Sequence, residues 1–145
     1  MADRPGRGWP AELELRLHHI AVVVADLDRA LAQYLDLGFS PPERFDVPEQ
    51  QVRVVVFAAG PGYVELIQPT DEVGPIARYL HKRGEGMHHV AYQVADLERA
   101  LAALSAAGAR LIDERGRRGV HDWRIAFVHP ESCAGVLTEL VEVPS

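Results

Sequence analysis

The sequence predicts an α+β fold built from two copies of one strand–helix–three-strand module. Three observations carry this expectation. Residues 17–39 (LHHIAVVVADLDRALAQYLDLGF) and 87–109 (MHHVAYQVADLERALAALSAAGA) are identical at 12 of 23 positions at an offset of 70. Each copy opens with an apolar run rich in strand-forming residues, followed by Asp and then by apolar residues at helical spacing. Two further strand-like runs follow each helix. Two copies at so long a period do not make a solenoid; they make a module duplicated within one domain.

The elements follow in order. His18–Val24 and His88–Val94 read as strands, and Asp26 and Asp96 as the N-caps of the helices behind them. Leu27, Ala30, Leu31, Tyr34 and Leu35 recur at helical spacing, as do Leu97, Ala100, Leu101 and Leu104. Gly38 and Gly108 stand where a left-handed residue ends a helix. Val52–Ala58 and Tyr63–Gln68 are the later strands of the first copy, Arg124–His129 and Val136–Val143 those of the second. Gly60-Pro61-Gly62 and Pro130–Gly135 supply turns. Shorter strands are expected near Ser40–Arg44 and Arg110–Glu114, and a connecting helix over Pro75–Arg83, stopped by Gly84. Residues 1–14, rich in Gly, Pro and Arg at their start, read as a flexible leader. Residues 15–145 then form one domain: module one at about 15–70, the connecting helix at about 73–84, and module two at about 86–145.

Composition narrows the function. The chain has 145 residues, 48% hydrophobic and 25% charged, which suits one globular domain. A net charge of −6 argues against a broad nucleic-acid surface. No apolar run approaches the roughly 20 residues of a membrane span, and the first ten residues hold no apolar signal core. The single cysteine, Cys133, excludes a disulfide framework and any thiolate-only metal site. A cytoplasmic protein is expected.

Side chains alternate faces along a strand, so His19, Ala21 and Val23 oppose Ile20, Val22 and Val24, which suit packing under a helix. His89, Ala91 and Gln93 oppose Val90, Tyr92 and Val94 in the second copy. Each last strand carries an acid in an apolar run: Glu65 in YVELI and Glu139 in LTELV. Each module therefore puts one imidazole and one carboxylate on the face away from its helix. A carboxylate among aliphatic residues is costly unless paired or metal-bound. Two histidines and two glutamates suit a divalent first-row ion such as Zn, Mn, Co, Ni or Fe. His18 and His88, duplicated one residue earlier, face the other way and are not expected to be ligands.

These residues resemble the vicinal oxygen chelate (glyoxalase/bleomycin resistance/dioxygenase) superfamily, and within it the methylmalonyl-CoA epimerases, over nearly all of residues 16–143. The matching strings include Val47-Pro48-Glu49-Gln50, Glu65-Leu66-Ile67-Gln68-Pro69, Lys82-Arg83-Gly84-Glu85-Gly86-Met87-His88-His89 and Gly135-Val136-Leu137-Thr138-Glu139-Leu140. The resemblance implies a cupped, barrel-like mixed sheet and one divalent metal held by His19, Glu65, His89 and Glu139. It implies an isomerase that interconverts 2R- and 2S-methylmalonyl-CoA, or a close 2-alkylmalonyl-CoA, through a metal-stabilised enolate. Glu49 matches a third strand-borne acid of that family's site and is expected to be a catalytic base. Glu139, bound to or released from the metal, is the candidate for the opposite face. Arg115, Arg117, Arg118 and Arg124 are available for CoA phosphates. The partner is an acyl-CoA, and a homodimer is expected. The chain departs from the family's usual pattern at Tyr63 and Glu131, where lysine is common, and at Asp122-Trp123. Two other readings use the same scaffold: a metal enzyme such as a lactoylglutathione lyase, and a resistance-type protein that sequesters a small molecule. The intact His/Glu quartet weighs against the latter.

Overall fold

A computed structural model describes residues 10–145. Eight strands and three α-helices follow one another as β1 (Arg16–Val23), α1 (Leu27–Asp36), β2 (Glu43–Val47), β3 (Val52–Ala59), β4 (Gly62–Pro69), α2 (Pro75–Arg83), β5 (Gly86–Gln93), α3 (Leu97–Ala106), β6 (Arg117–Arg118), β7 (Arg124–Val128) and β8 (Thr138–Glu142). The order is strand, helix and three strands, twice, with α2 between. The chain divides into two compact units: His18–His89, and Val90–Ser145 together with the N-terminal stretch to Leu17. The boundaries fall inside β1 and β5. Among the described residues no helix is long and apolar enough to cross a membrane.

In the His18–His89 unit the strand order is β2-β3-β4-β1. β1 runs parallel to β4, while β2, β3 and β4 form an antiparallel meander. The helix connection makes β1 and β4 parallel, since only a crossover can join parallel neighbours. The core under α1 gathers Val24, Leu27, Ala30, Val55, Phe57, Val64 and Leu66, with Ile20, Val22 and Tyr34 beside them. Ile20 and Val22, the helix-side positions expected from alternation, pack partly buried against this core, while Ala21 and Val23 on the other face of β1 are fully buried. Asp26 caps α1 by accepting from the Arg29 N–H at 3.1 Å.

In the other unit the order is β5-β8-β7-β6, with β5 parallel to β8. Asp96 caps α3 through the Arg99 N–H at 3.1 Å, the same device one copy later. Val94, Leu97, Ala100, Leu101, Ala126, Val128 and Leu140 form its core. Leu13 joins them and is wholly buried.

Leu13 corrects the expected leader. Residues 1–9 lie outside the described residues, but residues 11–13 form a 3-10 turn. The Leu13 carbonyl accepts from the Ala95 N–H at 2.8 Å, and Glu12 pairs with Arg99 at 2.8 Å. Burying one leucine contributes roughly 2 kcal/mol, enough to order a short turn against the end of α3. Two strand expectations also shift. The strand sought at Ser40–Arg44 begins at Glu43, after Pro41-Pro42, which supply no ladder donors. The one sought at Arg110–Glu114 is reduced to an isolated Leu111–Val128 bridge. There the Asp113 carboxylate takes the Phe127 N–H at 2.9 Å, so a side chain satisfies a backbone group that a ladder partner would otherwise hold.

Candidate metal centre

The site grows out of strand register. Ala21 on β1 pairs with Glu65 on β4, and His19 lies two residues earlier on the same strand face. Val64 and Leu66, on either side of Glu65, are buried in the core under α1, which leaves Glu65 on the opposite face with His19. Both are almost wholly buried, at 2% exposure for His19 and 6% for Glu65. His89, in the middle of β5, is buried as well. The three side chains meet: His19 Nε2 lies 3.4 Å from Glu65 Oε2 and 3.4 Å from His89 Nε2.

This donor set fits a divalent ion. Ligands on opposite sides of an ion with bonds of about 2.0–2.2 Å stand about 4 Å or more apart, so atoms 3.4 Å apart suit neighbours in one coordination shell. Two imidazoles and a carboxylate favour first-row divalent ions over Mg or Ca, which prefer all-oxygen sites. Burial holds His89 well below the ordinary imidazole range, and the charges of His19 and His88 would push the same way. Burial also lowers His88. A neutral ring presents the lone pair a metal needs.

Glu139 belongs to the other unit. It pairs with Ala91 on β5 and Phe127 on β7 and is buried. Ala91 is the duplicate of Ala21, so Glu139 holds in its own copy the register that Glu65 holds in the first.

Glu49 is not on a strand. It lies exposed on the 3-10 turn Pro48–Gln50 between β2 and β3, which corrects the expected strand-borne acid. Pro48 withdraws a donor, and Gln51 takes φ 59°, which breaks the extended run before β3 begins. On β3 the residue opposite Glu65 is Val56, and Val54 is the next on that face. Of the arginines suggested for CoA phosphates, Arg117 pairs with Asp113 at 3.3 Å, Arg118 with Asp122 at 2.6 Å and Arg124 with Glu98 at 2.7 Å.

The outer histidines are closer to the centre than alternation suggested. His18 Nδ1 is 2.7 Å from His19 Nδ1, and His88 Nδ1 is 2.9 Å from His89 Nδ1. Nδ1 lies near the backbone, so neighbouring rings can meet sideways even when their side chains leave opposite faces. The repeated His-His dipeptide was the available sequence signal.

The sequence profile of the Glyoxalase/Bleomycin resistance protein/Dioxygenase superfamily matches residues 18–127. The mitochondrial methylmalonyl-CoA epimerase of Bos taurus is 37% identical over 142 residues, covering 97% of this chain and 81% of that protein. The chain belongs to the methylmalonyl-CoA epimerase family. An ethylmalonyl-CoA/methylmalonyl-CoA epimerase from Cereibacter sphaeroides is 37% identical over 131 residues, covering 88% of this chain and 98% of that one. A Streptomyces coelicolor methylmalonyl-CoA epimerase variant, solved in complex with 2-nitronate-propionyl-CoA, superimposes with a TM-score of 0.83 at 35% identity. That superposition covers 90% of this chain and 95% of the other. The fold class is therefore the α+β pair of βαβββ modules of the glyoxalase superfamily. In this family member a buried His/His/Glu cluster sits where the sequence resemblance placed metal ligands.

Proposed function

We propose that this protein is a metal-dependent epimerase interconverting the 2R and 2S forms of methylmalonyl-CoA or a close 2-alkylmalonyl-CoA. The observation that carries the reading is the buried cluster of His19, Glu65 and His89, two imidazoles and a carboxylate drawn together at 3.4 Å. Relatives matched over 81% and 98% of their own length are named as methylmalonyl-CoA epimerases, one of them for ethylmalonyl-CoA as well. His19, Glu65 and His89 would hold the ion, with Glu139 as fourth ligand by its equivalent register. When bound, a divalent ion supplies Lewis-acid stabilisation of the negative charge that develops on the thioester oxygen as C2 loses its proton.

The chain's own groups must move that proton. Epimerisation removes it from one face of C2 and returns one to the other, so two acids or bases are needed. Glu49 is the proposed carrier on one face. Its exposure suits a base that meets substrate only in the bound complex, where such contacts tighten. Glu139 is the proposed carrier on the opposite face. The buried walls around His19 and Glu65 keep water from the site and strengthen each electrostatic contact within it. For the CoA phosphates, Arg115 is the proposed contact, because Arg117, Arg118 and Arg124 are already engaged by acids. A cytoplasmic location is proposed from the single cysteine, and a homodimer from the family likeness.

The test is exchange of the C2 proton. Metal-loaded protein incubated with methylmalonyl-CoA in D2O should place deuterium at C2. Exchange no faster than in a chelated control, with intact substrate, would sink the proposal. Turnover of the glutathione–methylglyoxal adduct instead would move the assignment to a lactoylglutathione lyase. Glu49→Gln should slow exchange by about 10²- to 10⁴-fold, the range for loss of a general base. Full activity in that variant would remove Glu49 from the mechanism and leave the metal centre standing.

A further inference from the structure

The outer histidines raise a question that the ligand set does not answer. Burying two adjacent imidazoles is costly unless their ring nitrogens are hydrogen-bonded. Here each outer ring spends its Nδ1 on the Nδ1 of its inner neighbour, at 2.7 Å for His18–His19 and 2.9 Å for His88–His89. One proton must lie between each pair, so one ring donates and the other accepts. The inner rings turn Nε2 toward the cluster. If Nε2 lends its lone pair to a metal, the ring's proton must sit on Nδ1, and the inner ring is the donor. The outer ring is then the acceptor, a neutral imidazole carrying its own proton on Nε2.

Each outer ring is in turn held by a tyrosine. Tyr63, on β4 opposite His19, lies with its ring 5.2 Å from that of His18. Gly62 beside it lets β4 come close: a Cβ there would stand 2.9 Å from the His18 carbonyl oxygen. Tyr79, on α2, meets the His88 ring edge-on at 4.7 Å and is itself fixed by donating its hydroxyl to the Met87 carbonyl at 2.9 Å. The two tyrosines are not duplicates of each other; one comes from a strand and the other from the connecting helix. Two unrelated elements thus support the same ring in the two copies. A relic of duplication would need no such separate support.

We infer that His18 and His88 are positioning residues, each accepting the Nδ1–H of a metal-ligating histidine and thereby fixing its tautomer and orientation, with Tyr63 and Tyr79 holding the outer rings in place. This assignment rests on the metal reading above and adds the residues that aim its ligands. It also gives Tyr63 a use, at a position where the family pattern favours lysine. Groups of this kind behind a metal-bound histidine typically change affinity by about 10- to 100-fold when removed.

The experiment is ¹⁵N NMR of the histidine rings in zinc-loaded protein, with zinc affinity measured alongside by competition against a chromophoric chelator. His19 and His89 should carry their proton on Nδ1, and His18 and His88 on Nε2. His18→Phe and His88→Phe, which keep ring volume but cannot accept, should weaken zinc binding about 10- to 100-fold. Asn at either position, whose Oδ1 can accept near the place of Nδ1, should recover most of the loss. A wild-type spectrum with the His18 or His88 proton on Nδ1 overturns the assignment, even should every variant fail to fold. Folded Phe variants with unchanged zinc affinity overturn it too. A wild-type protein giving no zinc isotherm is a distinct result: it removes the metal reading, and this assignment falls with it.

Discussion

Glu65 and His19 show how much one register position decides. Shifting β4 by a single residue against β1 would turn Glu65 into the core under α1 and put Val64 and Leu66 on the face of His19, so the apolar alternation that buries the helix face also fixes the carboxylate. His89 carries a consequence for pH. Its folded value lies well below the ordinary imidazole value near 6.5, because burial disfavours the charged ring. Below about pH 6.5 the unfolded chain takes up a proton that folded His89 refuses, so the unfolded state binds more protons and stability rises with pH there. Metal-free protein should therefore hold constant stability above about pH 7.5 and lose it as the pH falls through 6.5, until the folded ring itself protonates. The limit is about 1.4 kcal/mol per pH unit for each histidine concerned, and His88 adds to the same slope. Urea midpoints of chelated protein from pH 8 to 5.5 would show it. His89→Asn should flatten the slope; an unaltered slope would mean that other groups carry it. The carboxylates held low, Glu12 by Arg99 and Glu98 by Arg124, act in a lower window and do not mimic the effect.

At the scale of elements the two copies are alike where local chemistry rules and differ where it does not. Asp26 and Asp96 cap α1 and α3 with the same contact at the same distance, and Gly38 and Gly108 follow each helix with φ of 106° and 90°. Asp26→Ala and Asp96→Ala should each cost about 1 kcal/mol, or roughly 3–5 °C in Tm for a chain of this size. Unequal costs would show that one copy leans more on tertiary packing. The N-terminal turn makes a larger claim. Leu13 is wholly buried, so Leu13→Ala should cost about 2–5 kcal/mol by urea denaturation; a cost below about 0.5 kcal/mol would return residues 10–14 to the status of a leader. These elements also mark what was legible. Periodicity, caps and the duplicated strings located α1, α2, α3 and the strands β1, β3, β4, β5, β7 and β8, and the paired His and Glu pointed to the cluster. The 3-10 turn over residues 11–13 has no pattern to announce it, because one apolar residue in an aperiodic stretch makes none. Glu49 reads by its own context as a loop acid and becomes strand-borne only by likeness; Pro48 and the left-handed Gln51 side with the context. Alternation describes where the His18 and His88 side chains leave the backbone, not which ring atoms meet, so their contacts with His19 and His89 are not legible from it.

For the whole molecule, duplication ties function to folding. Each copy carries one histidine and one glutamate at matching positions, and the proposed ligand set draws on both copies. An ion that binds the native chain and not the unfolded one adds RT ln(1 + [L]/Kd) to stability, about 4 kcal/mol when free metal is 1,000 times Kd. For 145 residues that is roughly 10–15 °C in Tm. Zinc- or cobalt-loaded protein should therefore melt about that much higher than chelated protein, in proportion to the logarithm of free metal. The gain should vanish in His19→Ala and in Glu139→Ala alike, although these residues belong to different copies. Glu139→Ala is the sharper arm, because its proposed place in the ligand set rests on its equivalent register in the second copy. A variant that lost Glu139 yet kept the full metal-dependent gain would leave a three-ligand centre of His19, Glu65 and His89. Glu139 would then be free of the metal and available for proton transfer alone. Loss of both the gain and the exchange reaction would instead make it a ligand first. The melting curve thus separates two roles that an activity assay would merge, since either role abolishes turnover when the carboxylate is removed.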